Sequence, residues 1–328
     1  MNDDPEYPSP PTDPAQGSAA EPLSSTAQII NWPAPHDDLA QMEPPQYPPL
    51  SMSYVVQRAK LIPHLGHFCA FIALVLVTLV AALIGTLLAV HVAMPRIPLP
   101  KLPGVVAQNI VIGISMQVFW YTLLWALCAL VFGLWWKASA GMSFVQGIHW
   151  NGAVVRRWAV LLAGIGFATG LLITLAGNFV PMPKAPPILE DLTKSRAGAW
   201  ILMAFGVTLA PLTEELAFRG LLLPGLINVF HWLERRRAIT EGVVRTVGIP
   251  LSILLTSLPF ALMHAQQVSD SWGPVLLIGC VSIVLCIVRL RTGSLASSVV
   301  VHAFYNLTLF TGLLIQTDGF RHLDKLKG

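Results

Sequence analysis

Long apolar runs separated by short polar segments make up most of the chain after residue 57. A helix needs about 20 mainly apolar residues to cross a bilayer. The pattern therefore predicts an all-α, polytopic integral membrane protein with seven to eight transmembrane helices. The seven runs lie at about 67–94, 105–136, 158–181, 199–232, 246–265, 273–290 and 294–316. Tryptophans lie near several of the proposed ends, as interfacial indoles prefer: Trp135, Trp136, Trp158, Trp200, Trp232 and Trp272.

The run at 199–232 is too long for one straight crossing. Pro211 and Pro224 both fall inside it, and a proline inside a helix removes a hydrogen bond and bends the axis. We expect either a kink at one of these prolines or two separate pieces. The second arrangement would raise the number of spans to eight.

Composition separates residues 1–57 from the rest. The chain is 54% hydrophobic and 11% charged, whereas a soluble domain is about a quarter charged. Residues 1–57 contain no Lys or Arg, yet hold eight of the 17 acidic residues and 12 of the 26 prolines. Such a segment cannot bury enough apolar surface to fold, so we predict a disordered leader. It lacks the basic start and apolar region of a secretory signal.

Positive charge lies mainly at the ends of the apolar runs. With the N-terminus inside, 11 Lys and Arg residues, Arg289 among them, flank the inner side and 8 the outer side, which favours a cytoplasmic N-terminus. The cluster at 235–237 lacks the interleaved aromatics of a nucleic-acid surface, so we expect a membrane anchor and no nucleic-acid partner. The four cysteines all lie inside apolar runs and are interpreted as packing residues: Cys69, Cys128, Cys280 and Cys286.

Ionisable groups inside the 199–232 run need a reason, because a charged side chain at the bilayer centre costs about 3 kcal/mol or more. Glu215 and Arg219 are four residues apart and share a helix face, so they can form an ion pair. Glu214 points about 100° away from Glu215, which leaves its carboxyl free to act as a general acid or base. The alternative is a protonated Glu214 bonded to a backbone carbonyl.

Two later runs carry further polar groups. His264 follows Phe260 by one helical turn, and His302 precedes Asn306 by the same spacing. A His/Asn pair on one face can direct two N–H donors at one oxygen, as the stabilisation of an oxyanion requires. Each group also has a structural interpretation, namely core packing for Phe260, an interfacial position for His264 and interhelical hydrogen bonds for His302 and Asn306. The set together is what water activation and amide hydrolysis need.

Three motifs in the sequence resemble those of the CPBP family, the intramembrane glutamic endopeptidases that include the CAAX prenyl proteases. They are EELAFRG (214–220), FALMH (260–264) and RTGSLASSVVVHAFYN (291–306), which match EExxxR, FxxxH and HxxxN. The resemblance implies that Glu214 and His264 activate water and that His302 and Asn306 form the oxyanion site. It implies supporting roles for Glu215, Arg219 and Phe260, the last of which is the first position of the FxxxH motif.

The resemblance also implies an organisation and a setting. We expect a leader at 1–57, accessory helices at 58–198, a catalytic core at 199–316 and a tail at 317–328. The protein would be a metal-independent hydrolase without a cofactor. Its substrate would be a peptide or protein at the membrane, with or without a prenyl group. The protein itself would cross the lipid bilayer several times. The membrane would be the plasma membrane in a bacterium or the endoplasmic reticulum in a eukaryote.

Three alternatives remain open at this stage. A glutamate and two histidines could bind zinc, although no HExxH spacing is present. A non-catalytic scaffold or binding partner of another membrane protein would use the same polar residues for packing. A proton-coupled transporter would also bury Glu and His, and an internal repeat would favour it.

The proposed spans also conflict with the motifs. If the run at 246–265 passed fully across, His264 would lie near its far end and His302 only about 12 Å past the near end of its own run, at 1.5 Å per residue. The two could not then share a substrate. We expect the helix that carries His264 either to stop at depth or to have other bounds, with the polar AQQVSDSWG stretch after it lining a wet cavity.

Overall fold

The computed structural model describes residues 62–183 and 195–326, which are mostly helical and contain no strand. The predicted leader, residues 1–57, lies outside these ranges. Seven helices in the described part of the chain are long and apolar enough to cross a membrane, which confirms the predicted all-α polytopic class. They are α1 (Leu65–Ala93), α2 (Val111–Ala140), α3 (Gly152–Phe179), α4 (Arg196–Arg235), α5 (Glu241–Met263), α6 (Trp272–Thr292) and α7 (Leu295–Gln316).

Helix α4 is one long, irregular element. It is α-helical to Val207, and Thr208 then has φ −119° and ψ −79°, which interrupts the regular helix. This break lies three residues before Pro211, whose ring clashes with the carbonyl four residues earlier. An α-helical segment, Leu209–Glu215, is followed by a π-helical segment, Leu216–Leu222.

The π-helical segment precedes the second proline of α4. Pro224 stands at the second position of the α-helical segment Leu223–Arg235, where its missing N–H would leave a carbonyl of the preceding turn unpaired. Widening the turn to π-helical geometry accommodates this loss, and such bulges often lie at functional sites. The sequence predicted an interruption at Pro211 or Pro224, and the structure has an irregularity before each.

Two glycines let α3 approach α7 closely. A Cβ atom on Gly166 would lie 2.6 Å from the Val301 carbonyl oxygen, and one on Gly170 would lie 2.6 Å from Cβ of Thr308. The pair has the GxxxG spacing that brings membrane helices together. This contact fixes the position of α7 from the side of the first three helices.

The interior is polar where α4, α6 and α7 meet. Buried side chains at this junction come from all three helices and include Glu215, Arg219, Ser282, Arg289 and His302. Because unpaired charges are costly away from water, their partners decide what the junction can do.

Candidate active site

Glu215 and Arg219 form an ion pair whose side chains have 0% exposure. Arg219 Nη1 donates to Glu215 Oε1 at 2.8 Å, and Nη2 donates to the backbone oxygen and the hydroxyl of Ser282 at 2.9 and 2.6 Å. The structure thus contains the pairing predicted from the spacing of four. Charge-assisted hydrogen bonds of this kind make a buried pair tolerable.

His302 links this ion pair to the second glutamate. Its Nδ1 lies 3.0 Å from Glu215 Oε1, and because a carboxylate paired with a guanidinium accepts hydrogen bonds, Nδ1–H is the donor. The other ring nitrogen, Nε2, lies 3.7 Å from Glu214 Oε2. The imidazole therefore lies between the carboxylate of the buried ion pair and the less buried carboxylate of Glu214.

Glu214 lies where both histidines converge. Its Oε2 is 3.8 Å from His264 Nε2 and 3.7 Å from His302 Nε2, distances too long for direct hydrogen bonds but suited to a small molecule that bridges them. Its side chain retains 18% exposure, against 0% for Glu215. The two adjacent glutamates thus have different surroundings, as their 100° separation predicted.

His264 presents a defined nitrogen to Glu214. Its Nδ1 lies 2.8 Å from the Phe260 carbonyl oxygen, which can only accept, so Nδ1 carries the proton and Nε2 of the neutral ring has a free lone pair. Helix α5 ends at Met263, and His264 is its C-terminal capping residue. Its side chain is 16% exposed.

This geometry resolves the conflict found in the sequence. Both Nε2 atoms lie within 3.8 Å of one Glu214 oxygen, so the two histidines share one site. Helix α5 begins at Glu241 and ends at Met263, whereas the sequence placed it at about 246–265. The end that carries His264 differs by only two residues, so the two histidines meet because of how the helices pack. The polar stretch that follows His264 begins with a 3₁₀ turn, Ala265–Val268, before α6 starts at Trp272.

Phe260 packs at the centre of the cluster. Its ring centroid lies 4.9 Å from that of His264 and 5.9 Å from that of His302, and Cζ of Arg219 lies 4.5 Å over the ring. The side chain is 2% exposed. The sequence predicted a supporting role for this residue beside a simple packing interpretation, and in the structure its ring packs against both imidazoles.

Asn306 contacts α4 at another point. Its Nδ2 donates to the backbone oxygen of Gly206 at 2.7 Å, just before the break at Thr208. An amide has two N–H groups, so one remains after this bond. Of the predicted site residues, the structure brings His264 and His302 together at Oε2 of Glu214. Asn306, in contrast, donates a hydrogen bond to the backbone of α4.

Sequence reasoning missed several residues that support the cluster. Arg289 was counted as a flanking charge, but it is 7% exposed and its Nε donates to the Arg219 carbonyl at 3.3 Å. Ser282 anchors the Arg219 guanidinium from α6. Neither follows from spacing, because the partners are more than 60 residues apart. Gly166 and Gly170 were missed as well, although their GxxxG spacing is a sequence signal that could have identified them.

No group of three or more His, Cys, Asp and Glu side chains in the described ranges is arranged to hold a metal ion. The zinc alternative is accordingly a matter for experiment.

Comparison with known proteins gives one match. Residues 196–308, about a third of the chain, match a family described as "Rce1-like: Type II CAAX prenyl endopeptidase Rce1-like". This range includes all three motifs and every residue predicted for the site. No curated protein and no solved structure matches the chain. With seven apolar helices in its described residues, the chain is an integral, multi-pass membrane protein, and its region at residues 196–308 is similar to the Rce1-like type II CAAX prenyl endopeptidases.

Proposed function

We propose that this protein hydrolyses a peptide bond with a water molecule activated by Glu214 and His264. The observation that carries the proposal is the division of labour between adjacent glutamates. Glu215 is buried and tied to Arg219 and His302, while Glu214 keeps a partly exposed carboxylate beside two imidazole nitrogens. A general base must be ionisable, reachable and close to its proton donor, and Glu214 meets these requirements.

In the first step, water lies between Glu214 and His264. The Glu214 carboxylate takes a proton from water, the oxygen attacks the scissile carbonyl carbon, and the carbonyl π electrons move to its oxygen. The second O–H of the water donates a hydrogen bond to the lone pair on His264 Nε2. This lone pair is free because Nδ1 carries the ring proton and donates a hydrogen bond to the Phe260 carbonyl oxygen. The tetrahedral intermediate then breaks its C–N bond, and the Glu214 carboxyl returns the proton to the leaving amine.

His302 and Asn306 stabilise the oxyanion in this proposal. When both His302 nitrogens carry protons, Nδ1–H binds Glu215 and Nε2–H is a charged donor to the new oxyanion. The second N–H of Asn306 adds a neutral donor. Glu215 and Arg219 hold His302 in place, and Phe260 keeps both imidazole rings oriented.

The remaining expectations form part of the same proposal. The reaction needs no metal, the catalytic core is 199–316, and the N-terminus faces the cytoplasm. The substrate is a C-terminal CAAX-type peptide with a prenylated cysteine. The family description supports this substrate class, because it names a prenyl endopeptidase.

The test is cleavage of synthetic CAAX-type peptides, farnesylated and unmodified, by the full chain in lipid nanodiscs. We expect Glu214→Gln to lower kcat by at least about a hundredfold, the usual contribution of a general base. Glu234→Gln is the matched control, since Glu234 also lies on α4 and also contacts a histidine, His231 at 3.0 Å, but away from the cluster. The control should cleave at the wild-type rate.

Full cleavage by Glu214→Gln contradicts the role of Glu214 as the general base. Failure of the wild type to cleave either peptide favours a scaffold. Equal cleavage of both peptides contradicts the prenylated substrate alone. Activity that a chelator removes and zinc restores contradicts metal independence.

A further inference from the structure

Helix α2 contacts the segment of α4 that carries Glu214, although α2 lies outside the matched range 196–308. The Trp125 indole N–H donates to the Thr213 hydroxyl oxygen at 3.1 Å. Thr213 is 7% exposed and directly precedes Glu214. A hydrogen bond from an accessory helix thus ends one residue from the proposed general base.

The same face of α2 makes a second contact with α4. Tyr121, one turn before Trp125, stacks on Phe205 with 5.3 Å between ring centroids. Tyr121 also lies within electrostatic range of Glu214. The face of α2 defined by Tyr121 and Trp125 therefore borders the proposed active site.

The Trp125 bond constrains the rotation of α4. Successive helical residues point about 100° apart, so Thr213, Glu214 and Glu215 project in three directions. Glu215 is fixed by Arg219 and His302, and Thr213 is fixed by Trp125 on another side. With both neighbours held, the direction of Glu214 between them is set.

This part of α4 needs an external constraint more than a regular helix would. The segment Leu209–Glu215 has only seven residues, with the break at Thr208 before it and the π-helical segment Leu216–Leu222 after it. Neither flank transmits a regular α-helical rotation. Side chains from neighbouring helices must therefore define its orientation.

We propose that Trp125 is a positioning residue for Glu214 that acts through the Thr213 hydroxyl, an inference that rests on the hydrolytic function proposed above. Catalytic groups must be held within a fraction of an ångström of their productive position. The accessory region thus contributes to the reaction rate without touching the substrate.

The test compares kcat and KM for Trp125→Phe and Thr213→Val in full-length protein, with the farnesylated CAAX-type peptide. Thr213→Val removes the hydroxyl and keeps the shape of the side chain, whereas Trp125→Phe removes the indole N–H and keeps an aromatic ring of smaller size. We expect kcat to fall about tenfold in each, within the range that small misplacements cause, with KM unchanged. The double variant should lose no more than either single variant, since both break one interaction. Thr213→Ser keeps the hydroxyl and should retain the wild-type kcat.

A second indole–threonine bond of α2 supplies the matched control. Trp120 Nε1 donates to the Thr78 hydroxyl oxygen at 3.0 Å, toward α1 and away from Glu214. Trp120→Phe and Thr78→Val should lower the thermal unfolding midpoint as much as the Trp125 and Thr213 changes do. Their kcat should remain that of the wild type.

Equal losses of kcat in the two pairs, or additive losses in the Trp125/Thr213 double variant, overturn the positioning role while the hydrolytic function stands. An unchanged kcat in Trp125→Phe also overturns the positioning role and leaves the hydrolytic function standing. Wild-type cleavage by Glu214→Gln, measured in the same assay, overturns the hydrolytic mechanism and the positioning role together.

Discussion

The three helices α1–α3 and the four helices α4–α7 bury different kinds of side chain. In the most apolar window of each of α1, α2 and α3, only 17% of residues are buried, whereas in α6 the share is 50%. The fully buried ion pair Glu215–Arg219 lies in the second group. A partly buried polar contact of the first group, the Trp120 bond to Thr78, joins two neutral side chains. The first group thus leaves apolar surface for lipid, and the second uses its interior for charge.

The two groups nevertheless depend on each other. Helix α2 holds α4 through Trp125 and Thr213, and α3 holds α7 through Gly166 and Gly170. Because α4 carries Glu214 and α7 carries His302, both sides of the proposed site are supported from outside the family-matched range. The proposed chemistry and part of its mechanical support thus lie in different parts of this chain.

The largest expected effect comes from breaking the buried charge of the second group. Glu215→Ala leaves Arg219 buried without its carboxylate, and such changes cost about 3–5 kcal/mol. Thr78→Val in the first group removes a neutral hydroxyl that accepts from Trp120 and donates to the Leu74 carbonyl, and should cost about 1–2 kcal/mol. Thermal unfolding of both variants in detergent measures the difference. Similar costs would show that the two interiors do not differ as described.

A change at the contact between the groups should have an intermediate effect. In Gly166→Ala, the new Cβ meets the Val301 carbonyl oxygen at 2.6 Å, so α3 and α7 must separate. Overpacking of this kind costs about 1–3 kcal/mol, and the shift of α7 should lower kcat as well.

The matched control for this contact is Gly164→Ala, whose Cβ would meet nothing within 4 Å. It should be neutral or slightly stabilising, since alanine is the better helix former. Unfolding midpoints and peptide cleavage rates measure both variants. Equal behaviour of Gly164→Ala and Gly166→Ala would contradict the close α3–α7 contact.

The smallest expected effect lies at the start of α1. His64 caps this helix by accepting a hydrogen bond from the Gly66 amide at 3.1 Å, and burial lowers the pKa of His64 below its ordinary 6.5. A neutral ring is therefore favoured in the folded state, so the cap is fully present above pH 6.5 and is lost as pH falls through the lowered pKa. After correction for the intrinsic pH dependence of exchange, the rate of amide exchange in the first turn of α1 should rise as pH falls from 7.5 to 5.

His64→Asn supplies a capping side chain that does not titrate. It should remove this acceleration once the intrinsic pH dependence of exchange is subtracted. If the same acceleration persists in His64→Asn, another group controls the start of α1.

Local regularities made much of the fold and site predictable. Hydropathy located seven spans because each helix meets lipid along most of its length. The spacing of four between Glu215 and Arg219 predicted their pairing, and the 100° offset of Glu214 predicted its separate surroundings. The ends of α5 were mispredicted, because hydropathy averages over a window and does not register where a helix stops.

The sequence by itself determined the membrane class, a range of seven to eight spans and the identity of the glutamate left without an arginine, because these depend on residues within a turn or two of each other. Only the tertiary structure decided that His264 and His302 meet at one Glu214 oxygen, that Arg289 is buried and that Trp125 binds Thr213. Those contacts join residues 50 to 88 positions apart. Their existence depends on how whole helices pack, which no local pattern encodes.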